Sequence, residues 1–253
     1  MKPAPADESV ELAAGVVGLA PGLAWLPHSR TLVVADAHLG YEDVVGGALP
    51  LWSTAALAAT LTIAAQRAGA REIAFVGDVV HGAAMSEGAA RTIAAALAAL
   101  RKVAELTLIA GNHEGRTRAF AVLGATVEAA ERDGWLLVHG DRPLALAGRA
   151  IVGHLHPSLR LASGSSAPAF VASERLVVLP ALTPYSNGLD VLSADCAKAL
   201  AAWGVRRGEA HVVVATSERL YPFGSLGSLR ARLGAGRGPG TRTPRRRLRA
   251  DPS

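Results

Sequence analysis

Cysteine is almost absent from this chain of 253 residues, with Cys196 standing alone. A disulfide framework and a cysteine-built metal cluster are both excluded, so any metal has to be held by His, Asp, Glu or Asn. Aromatic residues are scarce at 4%, which argues against a surface built on base-stacking platforms. No run reaches the roughly 18 uncharged apolar residues that a membrane-spanning helix needs. The N-terminus makes a poor secretory signal, because Lys2 is its single positive charge and Asp7, Glu8 and Glu11 interrupt the apolar stretch such a signal requires. With Cys196 read as a core residue, these features predict a cytoplasmic protein with no membrane segment. Internal repeats are lacking too.

What is present is an alanine-rich globular composition, 50% apolar and 19% charged, enough for a sizeable buried core. The length suits one large domain. The formal net charge of +5 is concentrated at one end. Residues 230–253 hold eight arginines against the single acid Asp251, so that segment carries +7 and the remainder −2. We therefore divide the chain into a near-neutral domain, 1–229, and an Arg-rich tail, 230–253, expected to be disordered because no hydrophobic period survives there. Arg245, Arg246, Arg247 and Arg249 would attract nucleic acid or polyphosphate, but no aromatic is interleaved among them and a solvated terminus is the preferred reading.

Five short apolar runs read as strands buried on both faces, since they barely alternate: Thr31–Ala35, Glu72–Val76, Leu106–Ala110, Trp135–Val138 and Ala150–Val152. The alanine-rich stretches Thr54–Ala68 and Ser86–Val103 suit helices, with Ser53 and Ser86 as N-caps. Alternating strand and helix implies an α/β sheet with parallel crossovers. Beyond residue 157 the pattern changes to strands at Glu174–Leu179, Gly188–Leu192 and Ala210–Thr216, a turn at Ser186-Asn187-Gly188 and a short helix at Asp195–Trp203. A second sheet packed on the first would use them.

Polar side chains fall at the ends of the first five strands. These end in Asp36-Ala37-His38, Gly77-Asp78, Gly111-Asn112-His113-Glu114, His139-Gly140 and Gly153-His154-Leu155-His156. The C-terminal edge is where open α/β sheets bind ligands. Two divalent ions placed close together repel, so a shared carboxylate is needed between them, and Asp78 is the natural bridge. Imidazoles and an Asn carbonyl fill the other positions without excluding an anionic ligand. In Asp-x-His and His-x-His, alternate residues of an extended segment would face one metal site. The glycines before Asp78, Asn112 and His154 are expected to let the chain turn tightly. His81 reads as a loop or supporting residue, Arg116 and Arg118 as phosphate contacts or a solvated loop. Tyr41, Glu42 and Asp43 would line a pocket mouth or serve turn geometry, and His28 and His211 lie outside every motif.

The ordered succession D-x-H, G-D, G-N-H-E, H-G and G-H-x-H resembles the calcineurin-like metallophosphoesterases over about residues 30 to 160, with weaker similarity to Leu192. The resemblance implies an α/β four-layer sandwich of two mixed β-sheets flanked by α-helices, and an enzyme that hydrolyses phosphate esters with two divalent metal ions. Asp36, His38 and His156 would bind the first metal; Asn112, His139 and His154 the second; Asp78 would bridge. A water or hydroxide between the metals would attack phosphorus in line. His113 would contact the phosphate and protonate the leaving oxygen, with Asn112 and Arg116 also meeting the substrate. Oxygen and nitrogen ligands without thiolate suit Mn²⁺, with Fe or Zn also compatible.

The segment Asp36–Glu42, Leu49-Pro50, Leu179-Pro180-Ala181 and Gly188–Val191 resembles, more narrowly, the prokaryotic repair-nuclease-related and DNA-ligase-associated branch. That implies a phosphodiesterase acting on nucleotides or nucleic acid, with DNA-repair proteins as partners. The chain departs at His139-Gly140-Asp141, where many relatives read H-G-H, and at Ala37, where relatives often carry a larger apolar residue. A phosphomonoesterase acting on a small metabolite or phosphoprotein is the competing enzyme. A non-catalytic binding module is the third reading, against which the complete ligand set counts.

Overall fold

The computed structural model describes residues 8–46, 52–82, 85–113, 118–144, 148–161, 164–186 and 188–235. Strands β1 (Ser9–Ala13), β2 (Val16–Leu19), β3 (Leu23–Leu26) and β4 (Thr31–Ala35) form an antiparallel meander. After helices α1 (Tyr41–Gly46) and α2 (Trp52–Ala68), the chain alternates through β5 (Glu72–Val76), α3 (Glu87–Arg101) and β6 (Glu105–Ile109). β4, β5 and β6 lie parallel, Thr31 beside Glu72 and Glu72 beside Glu105, in a six-stranded sheet that follows sequence order. Parallel neighbours need such crossovers, because a tight turn can only reverse the chain.

Past α4 (Arg118–Leu123) a second sheet is built from β7 (Ala129–Arg132), β8 (Trp135–Val138), β9 (Arg149–Val152), β10 (Pro157–Arg160), β11 (Ser166–Ala172), β12 (Leu176–Val178) and β13 (Leu189–Asp190). Helix α5 (Ala194–Ala202) follows, then the hairpin β14 (His211–Ala215) and β15 (Leu220–Ser225), which joins the sheet through β11, and helix α6 (Leu226–Ala235). β8, β9 and β12 are mutually parallel, whereas β7, β11, β14 and β15 pair antiparallel. Both sheets are therefore mixed.

Three apolar layers separate four structural ones. Between the sheets, Val33, Ala35, Ala74 and Val76 meet Trp135, Ile151, Phe170 and Val177. Outside the first sheet, Leu32, Val34, Ile73 and Phe75 meet Leu61 of α2 and Ile93, Leu97 and Leu100 of α3. Outside the second, Val152, Val171, Val178 and Val212 meet Cys196 and Leu200 of α5 and Leu226 and Leu229 of α6. With both faces covered, every residue of β4 and β5 is buried, which is why neither run alternates. Truncating a residue such as Ile93 or Leu97 to alanine would cost about 2–5 kcal/mol.

The expected two-sheet sandwich is thus the observed one, with differences of detail. Ser86 caps α3 by accepting a hydrogen bond from the Ala89 N–H. Ser53 does not cap: α2 already begins at Trp52, and the Ser53 N–H donates instead to the Glu42 carboxylate. Glu174 and Arg175 precede β12 rather than belonging to it. α6 continues to Ala235, so residues 230–235 are helical where a disordered tail was expected, Leu229 being anchored in the core. The rest of the Arg-rich tail, and Asn187 of the expected turn, lie outside the described residues. Among the described residues no helix is long and apolar enough to cross a membrane.

Candidate metal centre

β4, β5 and β6 of the first sheet and β8 and β9 of the second end at one rim, and the five polar clusters follow those ends. The chain leaves the strands there by a sharp backbone change. Asp36, His38, Asp78, His154 and His156 all have positive φ, between 43° and 62°. Left-handed backbone is uncommon for non-glycine residues and gathers at functional sites, where it costs of order 1–3 kcal/mol each. The expected extended Asp-x-His and His-x-His segments are therefore not extended. His154 and His156 consequently diverge into two different groups of donors rather than sharing one.

The glycines also act differently from expectation. Gly77 does turn with positive φ, but Gly111 and Gly153 do not. These two provide space: a Cβ on Gly111 would run into the Asp78 backbone nitrogen and carboxylate, and one on Gly153 would lie 2.6 Å from Asp36 Oδ2. The rim is stitched across the sheets. Leu182 N–H donates to Ala35 O (3.0 Å), Thr183 N–H to Asp36 O (3.3 Å) and His154 N–H to Asp36 Oδ2 (2.8 Å).

Two donor groups result. Asp36, His38, Asp78 and His156 form the first; Asp78, His139 and His154 form the second. In the first, Asp36 Oδ1 and His156 Nε2 approach to 3.4 Å, and both are buried without a hydrogen-bond partner. Ser186 Oγ lies 2.7 Å from His156 Nδ1, so a proton held on Nδ1 leaves the Nε2 lone pair facing Asp36. In the second, His139 Nε2 lies 2.8 Å from Asn112 Oδ1, 3.2 Å from His154 Nδ1 and 3.4 Å from Asp78 Oδ2. Asp78 Oδ1 accepts the His113 N–H at 2.9 Å, while Oδ2 is 4.0 Å from His38 Nε2 and so faces both groups. In the first group buried lone pairs converge without a hydrogen-bond donor between them, which is what a cation would satisfy, and the second gathers imidazole nitrogens and carboxylate and amide oxygens in the same way. The residues fit a pair of divalent ions.

The electrostatics keep His38 and His154 neutral, as metal ligation requires. Burial, reinforced by His156, His81, His113 and His139, holds His38 down at about 3. Burial and then His139 lower His154 as well.

All seven expected ligands and His113 are thus brought to one rim. His113 stacks on His81 at 5.0 Å between ring centroids, with its Nε2 4.0 Å from Asp78 Oδ2. Sequence reasoning underrated His81: its Nδ1 is 3.1 Å from His38 Nδ1, and it can complete a third donor group with His38 and His113. Its spacing of three residues from Asp78 was the available signal. Asp43 is structural, its carboxylate accepting from Ser86 Oγ (2.6 Å) and N (2.7 Å) at the start of α3. His28 is exposed and remote, its N–H bonded to Asp133, and burial lowers His211 beside β15. Arg116 and Glu114 lie outside the described residues, as do the side-chain surroundings of Arg118.

The sequence model of the calcineurin-like phosphoesterase family matches residues 29–180, a span that takes in all five clusters. Among solved structures, the Pseudomonas putida nuclease MPE is similar, with a TM-score of 0.66 and 22% identity over 87% of this chain and 100% of that one. No curated protein matches the chain.

Proposed function

We propose, for a chain that belongs to the calcineurin-like phosphoesterases and is therefore a phosphate-ester hydrolase, the activity of a two-metal phosphodiesterase on nucleotides or nucleic acid. The observation that carries this is the double role of Asp78: one carboxylate oxygen is tied to the His113 N–H and the other faces both donor groups. Asp36, His38 and His156 would hold one ion, Asn112, His139 and His154 the other, and Asp78 both. Bound divalent ions supply Lewis acidity, lower the pKa of a water and neutralise charge developing on phosphate.

The protein's own part is orientation and proton transfer. His113 combines a backbone fixed to Asp78 with a side chain 41% exposed at the rim, so its ring can meet a phosphate oxygen and deliver a proton to the leaving group. Stacking on His81 restricts its rotation. Asn112 and Arg116 are the further substrate contacts of this reading. Preference for diesters draws support from the fold shared with a nuclease, and Mn²⁺ as the ion from a donor set of oxygen and nitrogen alone. A cytoplasmic setting among DNA-repair proteins belongs to the same proposal.

The test is direct. Metal analysis of the purified protein should find two ions per chain, and Mn²⁺ should stimulate hydrolysis of bis-p-nitrophenyl phosphate above that of p-nitrophenyl phosphate. The reverse preference would identify a phosphomonoesterase.

A further inference from the structure

Three tyrosines occur in the whole chain, and two of them are stacked on each other beside the metal centre. Tyr41 and Tyr185 lie 4.6 Å apart at an interplanar angle of 11°. The inner ring, Tyr41, is 4.6 Å from His81, which in turn is 5.0 Å from His113. Four rings thus form a column of two stacked pairs, tilted 51° to each other between Tyr41 and His81, running from His113 out to Tyr185, which is 43% exposed. Tyr41 stacks on one face of Tyr185, and the residue keeps that exposure nonetheless.

This outer ring is held in place from several directions. Its hydroxyl donates to Glu42 Oε1 at 3.2 Å, and that oxygen also accepts the Ser53 N–H at 2.9 Å. Its own N–H donates to Thr183 Oγ1. The residue before that threonine and the threonine itself are bonded to Ala35 and Asp36, and the residue after Tyr185 is Ser186, the partner of His156 Nδ1. The ring's position is therefore indexed to the first donor group from both sides in sequence. A rigidly held, partly exposed aromatic ring beside a phosphate site can serve as a stacking platform, and bases are the planar partners that flank a phosphodiester.

Resting on the diesterase reading above, we infer that Tyr185, backed by Tyr41, stacks a base of the substrate strand, three ring contacts out from His113. The enzyme then selects substrates that present an unpaired base there, since a base in a duplex has both faces occupied by its neighbours. Scarcity of aromatics does not exclude a platform when two of them converge on one spot. Phosphate binding alone would not distinguish a nucleoside from any other ester substituent; the column does.

The experiment compares Mn²⁺-supported cleavage of a single-stranded oligonucleotide with that of an equally long strand of abasic residues. Wild type should favour the base-bearing strand by roughly 5- to 100-fold, mainly through KM, the range of one base–aromatic stack. Tyr185→Ala should abolish that ratio, while Tyr185→Phe and Tyr185→Trp, which keep a face, should restore it. Equal cleavage of both strands by wild type, or an equal loss on both in Tyr185→Ala, would overturn the inference. If neither strand is cut by protein that still hydrolyses p-nitrophenyl phosphate, the diesterase reading itself fails, and the platform falls with it.

Discussion

Strand β5 carries a buried carboxylate at each end, and the two are treated in opposite ways. Glu72 opens the strand, 9% exposed. It accepts from Thr31 Oγ1 (2.8 Å), Thr107 Oγ1 (2.5 Å), Arg132 Nε (2.7 Å) and Arg132 Nη2 (2.7 Å). Both oxygens are satisfied twice, and the arginine reaches across from the second sheet. Burial alone would raise this carboxyl, but the Arg132, Thr107 and Thr31 hydrogen bonds together outweigh it and hold the group below its ordinary 4.5. Asp78, just past the other end, accepts the His113 backbone N–H on one oxygen and has imidazoles facing the other. One end is a finished internal salt bridge that joins two sheets; the other is a set of acceptors with no cation of the protein's own among the described residues. A carboxylate's burial says little until its donors are counted.

The largest contrast should come from removing Asp78. Asp78→Ala is expected to lose both metals and all measurable hydrolysis, yet to leave the metal-free protein within about 1 kcal/mol of metal-free wild type, because a buried and poorly compensated charge has gone. Metal stoichiometry and urea unfolding check the two halves; retention of both ions would sink the bridge assignment. His113→Ala should keep its two ions and lose roughly 10²- to 10⁴-fold in turnover. Full activity in that variant would show that another group supplies the proton.

The opposite end should behave in reverse. Glu72→Gln is expected to cost about 2 kcal/mol, less than a fully enclosed pair because Arg132 is one-third exposed, while metal content and hydrolysis stay within about 2-fold. A large loss of activity without loss of stability would erase the distinction drawn here.

Acid should separate the ends most finely. Glu72 has a depressed folded pKa, so its contribution is complete above 4.5 and fades as pH falls below that value. His38 in metal-free protein is depressed from 6.5 to about 3, so the unfolded chain takes up the proton first and stability declines from pH 6.5 downward. Unfolding free energies measured from pH 7 to pH 3 should therefore show a shallower limb below pH 4.5 in Glu72→Gln only. Parallel curves for variant and wild type would remove Glu72 from the account.

The site was more legible in the sequence than much of the fold, and the reason is local. Asp36, Asp78, Asn112, His139 and His154 each sit beside a glycine or close behind an apolar strand, so short windows reveal them. Edge strands lack that contrast. β7 reads Ala-Ala-Glu-Arg, a helix-favouring string that pairs only because Trp135 and its neighbours in β8 lie alongside. β15 contains Pro222 and Gly224, tolerated because among the described residues it pairs with β14 alone. The left-handed backbone at five of these ligands escaped because alternation presumes an extended backbone, which ends one residue too early. The Glu72 cluster escaped because Thr31, Thr107 and Arg132 are distant in sequence.

The stitching of the rim has a consequence for how substrate arrives. Leu182 and Thr183, arriving from the second sheet, donate to Ala35 and Asp36 of the first, and the His154 N–H grips the Asp36 carboxylate. A jaw-like opening of one sheet from the other would have to break those bonds and pull the two donor groups apart. Entry is therefore governed by what stands above the rim, and Tyr185, borne on the stitching segment itself, is held in step with the donor groups beneath it.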